Sequence, residues 1–556
     1  MCSTTRRWLP GLVGFLAATS SGTLLAAEDS TARQTGLAAI DWAIIVAYGC
    51  GTIALGWYYS RKQSTTQEYF IGNGQMNPIL IGVSLFATLL STISYLSMPG
   101  EAFGKGPAGV LSTLAFPFVF LFVGYVLLPV YMQQRVTSAY ELLEKQLGLS
   151  VRLLGAGMFL TLRLIWMALL TYLTAKAMTV MLGVGDEWIP AVALITGTVS
   201  VVYTSLGGLR AVVITDLLQT ILLYGGALVV IGGVSWNLGG FGWFPTEWHD
   251  NWDTQPFFSV DPQVRITVVG SFVSVLLWQV STLGGDQTSV QRFMSTSDVK
   301  AARRALAIQL AVAFVVAITL AVVGFALLGY FEAHPDQIPQ GVDLKKNADI
   351  IFPRFVAYHL PPGVSGFVVA AMFAAAMSSI DSGVNSITAV VMSDLLDRFG
   401  IRPKTERQHV LLARSLALGI GLTIVLCSSM MQHVPGNITA VTNKTANLLA
   451  TPIFCLFVFA IFVPFASPIG VWIGAACGVV TAVVVAFSGP LVTFLDLSCG
   501  IPCTTFGVEL VTSTDSLTGE LVIAAPDPIS FQWIAPLAIG ANLLTGCVVS
   551  YLFPRR

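Results

Sequence analysis

Between Phe367 and Leu396 the chain reads FVVAAMFAAAMSSIDSGVNSITAVVMSDLL, apolar enough to cross a bilayer yet seeded with Ser378, Ser379, Asp381, Ser382 and Asn385. On a helix, Ser378, Asp381, Ser382 and Asn385 follow i, i+3, i+4, i+7 spacing, and Ala375, Ser378 and Ser379 repeat the pattern one turn earlier. One helix face is therefore a ladder of oxygens. An aspartate near mid-membrane costs roughly 2.5–3.5 kcal/mol, so it is kept where it faces a cavity, a partner or an ion. The competing reading is a helix–helix interface, in which small residues let backbones approach and hydroxyls bond across. The aspartate is more than such packing requires.

The elements that must position this ladder are membrane helices. Of 556 residues, 55% are hydrophobic and only 10% charged, against about 25% charged in soluble domains, which makes the chain a polytopic all-α membrane protein. It has no basic tract, no glycine-rich phosphate loop and no metal-spaced His/Cys set, so no nucleic-acid partner is expected. Nor does any nucleophile stand beside a base, and an enzyme is not expected. Most of the eight cysteines lie in apolar spans, but Cys499 and Cys503 flank a polar GIPC loop and would form a disulfide if it faced an oxidising compartment.

Residues 1–27, with Arg6, Arg7, an apolar run and small residues before Glu28, have the pattern of a cleaved signal peptide. The alternative is an uncleaved first anchor. Thirteen further apolar spans follow, from 38–59 and 78–103 to 468–489 and 530–552. Arg61, Lys62, Arg135, Lys145, Arg292, Lys300, Arg303, Arg304, Arg398, Arg402, Lys404, Arg407, Arg555 and Arg556 all fall on one side of this arrangement. By the positive-inside rule that side is cytoplasmic, which puts the mature amino terminus outside and the carboxyl terminus inside the plasma membrane.

Two spans are interrupted. The second has a polar SLFATLLSTIS centre with Pro99 and Gly100 beyond it, and the seventh has Gln279, Ser281 and Thr282 followed by Gly284, Gly285 and Asp286. Broken segments at matching positions of two halves point to inverted repeats around a midplane site. The implied division is an additional helix at 38–59, five-helix repeats at 78–236 and 265–463, and two further helices within 468–556 around an outer loop at 490–529.

At these residues the chain resembles the sodium:solute symporter family, through RKQSTTQEYFIGNG, TSAYELLEKQLG, YTSLGGLRAVVITDLLQT, GGDQTSVQRFMSTSDVKAARRAL and AAAMSSIDSGVNSIT, in that order. The likeness runs from about Asp41 to Arg556. SMPGEAFGKG, TSAYELLE and SVQRFM are most similar to the iodide, multivitamin and monocarboxylate carriers, with glucose and sialic-acid carriers further off. The resemblance implies a LeuT-like five-plus-five fold of about thirteen helices.

It also implies a first sodium site made by the carbonyls of Ala87, Leu90 and Ala375 with the hydroxyls of Ser378 and Ser379. A possible second site would use Asp216, Asp381 and Ser382, where Asp381 stands in place of the family's usual serine or threonine. For the solute, the matching positions are Ser94, Ser112, Phe116, Trp278, Gln279 and Phe457. Arg163, deep in the fourth span, either pairs with Asp216 or Asp381 or attracts an anionic substrate. The expected function is sodium-coupled symport of a small organic solute by alternating access. Proton coupling through Asp381 and a transporter-like membrane sensor are the alternatives, and the sequence leaves the oligomeric state open.

Overall fold

The computed structural model describes residues 37–61, 65–134, 138–250, 252–254, 258–338, 348–433, 438–514 and 521–554. The expected signal segment lies outside them. In chain order the principal helices are α1 (Ala39–Ser60), α2 (Pro78–Leu89), α3 (Thr92–Lys105), α4 (Pro107–Gln134), α5 (Leu149–Leu182) and α6 (Ile189–Asn237). Then come α7 (Val268–Gly285), α8 (Gln287–Met294), α9 (Val299–Ala333), α10 (Ala348–Tyr358), α11 (Val364–Leu396) and α12 (Glu406–Met431). The last are α13 (Ile438–Phe462), α14 (Pro468–Ala486), α15 (Ser488–Cys499) and α16 (Phe531–Leu552).

Eleven helices among the described residues are long and apolar enough to span a bilayer, and the bent pair α2–α3 makes twelve. At 1.5 Å per residue the 49 residues of α6 reach about 74 Å, more than twice the roughly 30 Å of a hydrocarbon core. This helix therefore makes two crossings. They meet at Gly208, whose φ of 54° and ψ of −165° lie in a region open essentially to glycine alone. Counted so, the spans match the thirteen expected from hydropathy.

Local chemistry sets the starts. Asn77, Thr267, Asp298, Thr405 and Ser467 each stand just before a helix, where their side-chain oxygens accept backbone N–H groups that the first turn leaves without partners. α11 lies at the centre, with 83% of its apolar window buried, and packs against α1, α2, α5, α6 and α12. Its Gly383 permits close approach to α5, since a Cβ there would meet the Met167 sulfur at 2.5 Å.

Three expectations are corrected. The segment 490–529 is not merely a loop. It holds most of α15 and an antiparallel hairpin of β1 (Val511–Thr514) and β2 (Leu521–Ala524), with Val511 opposite Ala524. Cys499 and Cys503 are unbonded thiols: the first is exposed, and the second is buried against Val492 and Ala525. Arg292, counted above among the surface charges, is completely buried.

Candidate ion and solute site

The site begins where α2 stops. Leu90 takes an extended conformation (φ −87°, ψ 113°), Ser91 follows it (φ −98°, ψ 167°), and α3 departs at 69° to α2. A helix end leaves its last carbonyls without N–H partners. Phe86 O still accepts from Leu90 N at 2.9 Å, but Ala87 O accepts instead from the Ser378 hydroxyl on α11, at 2.6 Å. Ser378 also lies 3.4 Å from Ala375 O. Beside it the Ser379 hydroxyl is 2% exposed and has no hydrogen-bond partner. Of the five residues expected to hold the first sodium, Ala87, Ala375 and Ser378 thus meet at the end of α2, and Leu90 and Ser379 adjoin them along their own helices. Carbonyl and hydroxyl oxygens without net charge suit a monovalent cation that must also leave.

One turn further along both helices, the polar groups are tied together by Arg292 from α8. Its Nε donates to Ser84 Oγ at 2.8 Å, and its Nη2 donates to Ser382 Oγ at 2.5 Å and reaches Asp216 Oδ2 at 3.5 Å. Ser84 donates to Asp216 Oδ2 at 2.5 Å, and Thr88 and Ser382 share a hydrogen bond of 2.9 Å. Asp381 points elsewhere: Ser200 and Thr204 of α6 both donate to its Oδ1, at 2.5 and 2.7 Å, while Oδ2 has no partner. The hydrogen bonds therefore divide the expected second sodium set. Asp216 and Ser382 belong to the guanidinium; Asp381 belongs to α6.

Above the break lies a cavity of about 350 Å³ whose lining includes Leu90, Ser94, Ser112, Phe116, Trp278 and Gln279. Five of the six expected solute residues are there. Phe457 is not, being fully buried between the rings of Tyr131 and Tyr140, with centroids 6.0 and 5.9 Å away. Arg163 pairs with Asp286, at the α7–α8 junction, and not with Asp216 or Asp381. Asp286 in turn caps α8, accepting from Thr288 N at 2.8 Å. Arg163 does not line the cavity, although Trp166, a turn along α5, does.

The model of the sodium:solute symporter family matches residues 69–478. The chain belongs to that family. Among curated relatives, the sodium/sialic acid symporter of Proteus mirabilis is 27% identical over 79% of this chain and 88% of its own length. The sodium-dependent multivitamin transporter of Oryctolagus cuniculus is 28% identical over 83% and 72%, and sodium-coupled monocarboxylate transporter 1 of Homo sapiens is 28% identical over 79% and 72%. The sialic-acid carriers are thus no further off than the others. Among solved structures, that of a Na⁺-coupled sialic acid symporter in a substrate-bound outward-open state superposes with a TM-score of 0.74, covering 93% of this chain and 99% of that one at 23% identity. The fold is the LeuT-like five-plus-five inverted repeat. This protein is a sodium-coupled, multi-pass membrane symporter of a small organic solute and not an enzyme.

Sequence reasoning missed several residues that line this cavity or tie the helices beside it. Gln309 in α9, Asn447 in α13 and Trp166 in α5 all line the cavity; Gln309 was visible as an isolated polar residue in an apolar run, and Asn447 closes the polar stretch TNKTAN. Arg292 was missed because a charge-counting rule treats any arginine near a span end as interfacial.

Proposed function

We propose that sodium binds between α2 and α11, held by Ala87 O, Leu90 O, Ala375 O, Ser378 Oγ and Ser379 Oγ, and that the solute occupies the cavity on the other side of the break. The observation carrying this reading is the Ser378 hydroxyl on Ala87 O at the end of α2, with the next residue's hydroxyl, Ser379, enclosed and unpartnered. The Ser378 hydroxyl donates a hydrogen bond to Ala87 O at 2.6 Å; a cation bound between the helices would take lone pairs from both oxygens once that hydroxyl rotates. Leu90 joins the two sites, its carbonyl on the ion and its residue on the cavity wall. Ion binding thus fixes the break that shapes the solute pocket, and the differential affinity of the two access states couples the fluxes.

Asp381 is the second cation position in this reading. It is fully buried, and among the described residues no basic side chain pairs with it, whereas Asp216 has Arg292. A buried carboxylate without a counter-charge is costly, and a cation on Oδ2 relieves that cost. Sodium is the preferred occupant; a proton is the other. Each sodium charge crossing the membrane adds about 2.3 kcal/mol of driving force per 100 mV.

The remaining proposals are topological. Residues 78–236 and 265–463 form the two inverted repeats, the cavity opens outward in a plasma membrane, and the carboxyl terminus is cytoplasmic. Loop charge is the support, with Lys300, Arg304, Arg398 and Arg402 on one side. Purified protein in liposomes, given labelled solutes under an inward sodium gradient, is expected to accumulate at least one of them. Equal uptake with choline replacing sodium, or uptake driven by a pH gradient alone, would contradict sodium coupling.

A further inference from the structure

The cavity's lining carries information about the solute's charge. Among the described residues around it, the single ionisable side chain is Glu101. Glu101 is already engaged: Arg265 grips both its oxygens, with Nη1 at 3.2 Å from Oε2, and Lys105 lies 3.5 Å from Oε1. These two cations do not line the cavity themselves. The buried arginines nearby are likewise committed, Arg163 to Asp286 and Arg292 to Asp216 and two serines. A carboxylate bound here meets no side-chain counter-charge.

What the cavity offers instead is uncharged polar groups, the hydroxyls of Ser91, Ser94, Ser97, Ser112, Thr113 and Ser274 and three amides. Gln279 and Gln309 line it, 6% and 1% exposed, and each leaves a buried Oε1 with no hydrogen-bond partner. Asn447 lines the same space. Trp166 and Trp278 contribute flat apolar wall. An unpaired buried acceptor is costly, and a site built around such groups selects the solute that supplies O–H or N–H donors. At about 350 Å³ the space is at the small end of the roughly 300–1,000 Å³ usual for ligand pockets. We infer that the transported solute is electrically neutral, small and rich in hydroxyl or amide groups, gripped by Gln279 and Gln309, and that free carboxylic acids are poor substrates.

The inference rests on the cavity being the solute site, and its test separates the two claims. The full-length protein is presented with matched pairs, nicotinamide and nicotinate, pantothenol and pantothenate, N-acetylmannosamine and N-acetylneuraminate, together with hexoses, hexitols and cyclitols. Sodium-dependent thermal stabilisation and competition for uptake are both read. The neutral member of any pair that binds is expected to act at tenfold lower concentration or better than its acid. Gln309→Leu and Gln279→Leu are each expected to weaken the neutral solute about tenfold while leaving stabilisation by sodium alone intact, which also shows that the variants fold. Acids leading the order, or no neutral solute binding, overturns the inference. Neutral solutes binding with both variants unaffected would move the solute out of this cavity and overturn the assignment of the glutamines.

Discussion

Arg292 decides what Asp216 can do. With its guanidinium fully buried between Ser84, Ser382 and Asp216, the arginine supplies the positive charge that a second sodium would otherwise bring to Asp216. Like charges this close in a low-dielectric interior repel strongly, so the proposed second cation is assigned to Asp381, whose Oδ2 has no hydrogen-bond partner and which no basic side chain pairs among the described residues. Asp381→Asn is accordingly expected to lower the Hill coefficient for sodium in uptake from near two toward one, while half-maximal sodium for the remaining ion changes little. An unchanged coefficient with wild-type rates would leave Asp381 as a hydrogen-bonding strut between α11 and α6. A variant whose sodium response is unaltered but whose pH profile shifts would assign the position to a proton.

At the scale of elements, the serine ladder works only if α11 holds its height in the bundle. Asp41 of α1 fixes it: the buried carboxylate accepts from Gly363 N and Gly366 N, both at 2.7 Å, across the start of α11. Removing a side-chain cap costs roughly 0.5–2 kcal/mol, and a carboxylate is favoured further by the positive end of the helix dipole. Asp41→Ala is expected to lower the melting temperature and to weaken sodium binding together, with Asp41→Asn intermediate; unchanged melting would mean the contact carries no load. The sequence could announce the ladder because helical spacing and residue type are both local. It announced the α2 break for the same reason, through the polar SLFATLLSTIS centre of an apolar span, whereas Pro99 sits inside α3. It could not say that Asp381 faces Ser200 and Thr204, or that Arg163 reaches Asp286, because those pairings depend on helix rotation and register, which apolar periodicity leaves open when a span is polar on more than one side.

At the scale of the whole molecule, hydropathy was enough for the number of crossings, and the interrupted second and seventh spans together with the family resemblance for the inverted-repeat architecture, since bilayer thickness and backbone hydrogen bonding constrain both. The place of Phe457 was beyond them. An aromatic in a helix reads the same whether it meets solute or, as here, Tyr131 and Tyr140. In the proposed reading the molecule is united by a mechanical link: sodium would tie α2 to α11 where Ser378 already bonds Ala87 O, and Leu90, which lines the cavity, would pass that tie to its wall. The most direct test is the sodium dependence of uptake in Ser378→Ala, Ser379→Ala and the double variant, reconstituted alongside wild type. Each single change is expected to raise the sodium concentration for half-maximal uptake about tenfold, and the double change to abolish sodium-driven accumulation while the folded protein persists in detergent. Wild-type sodium dependence in the double variant would contradict the account.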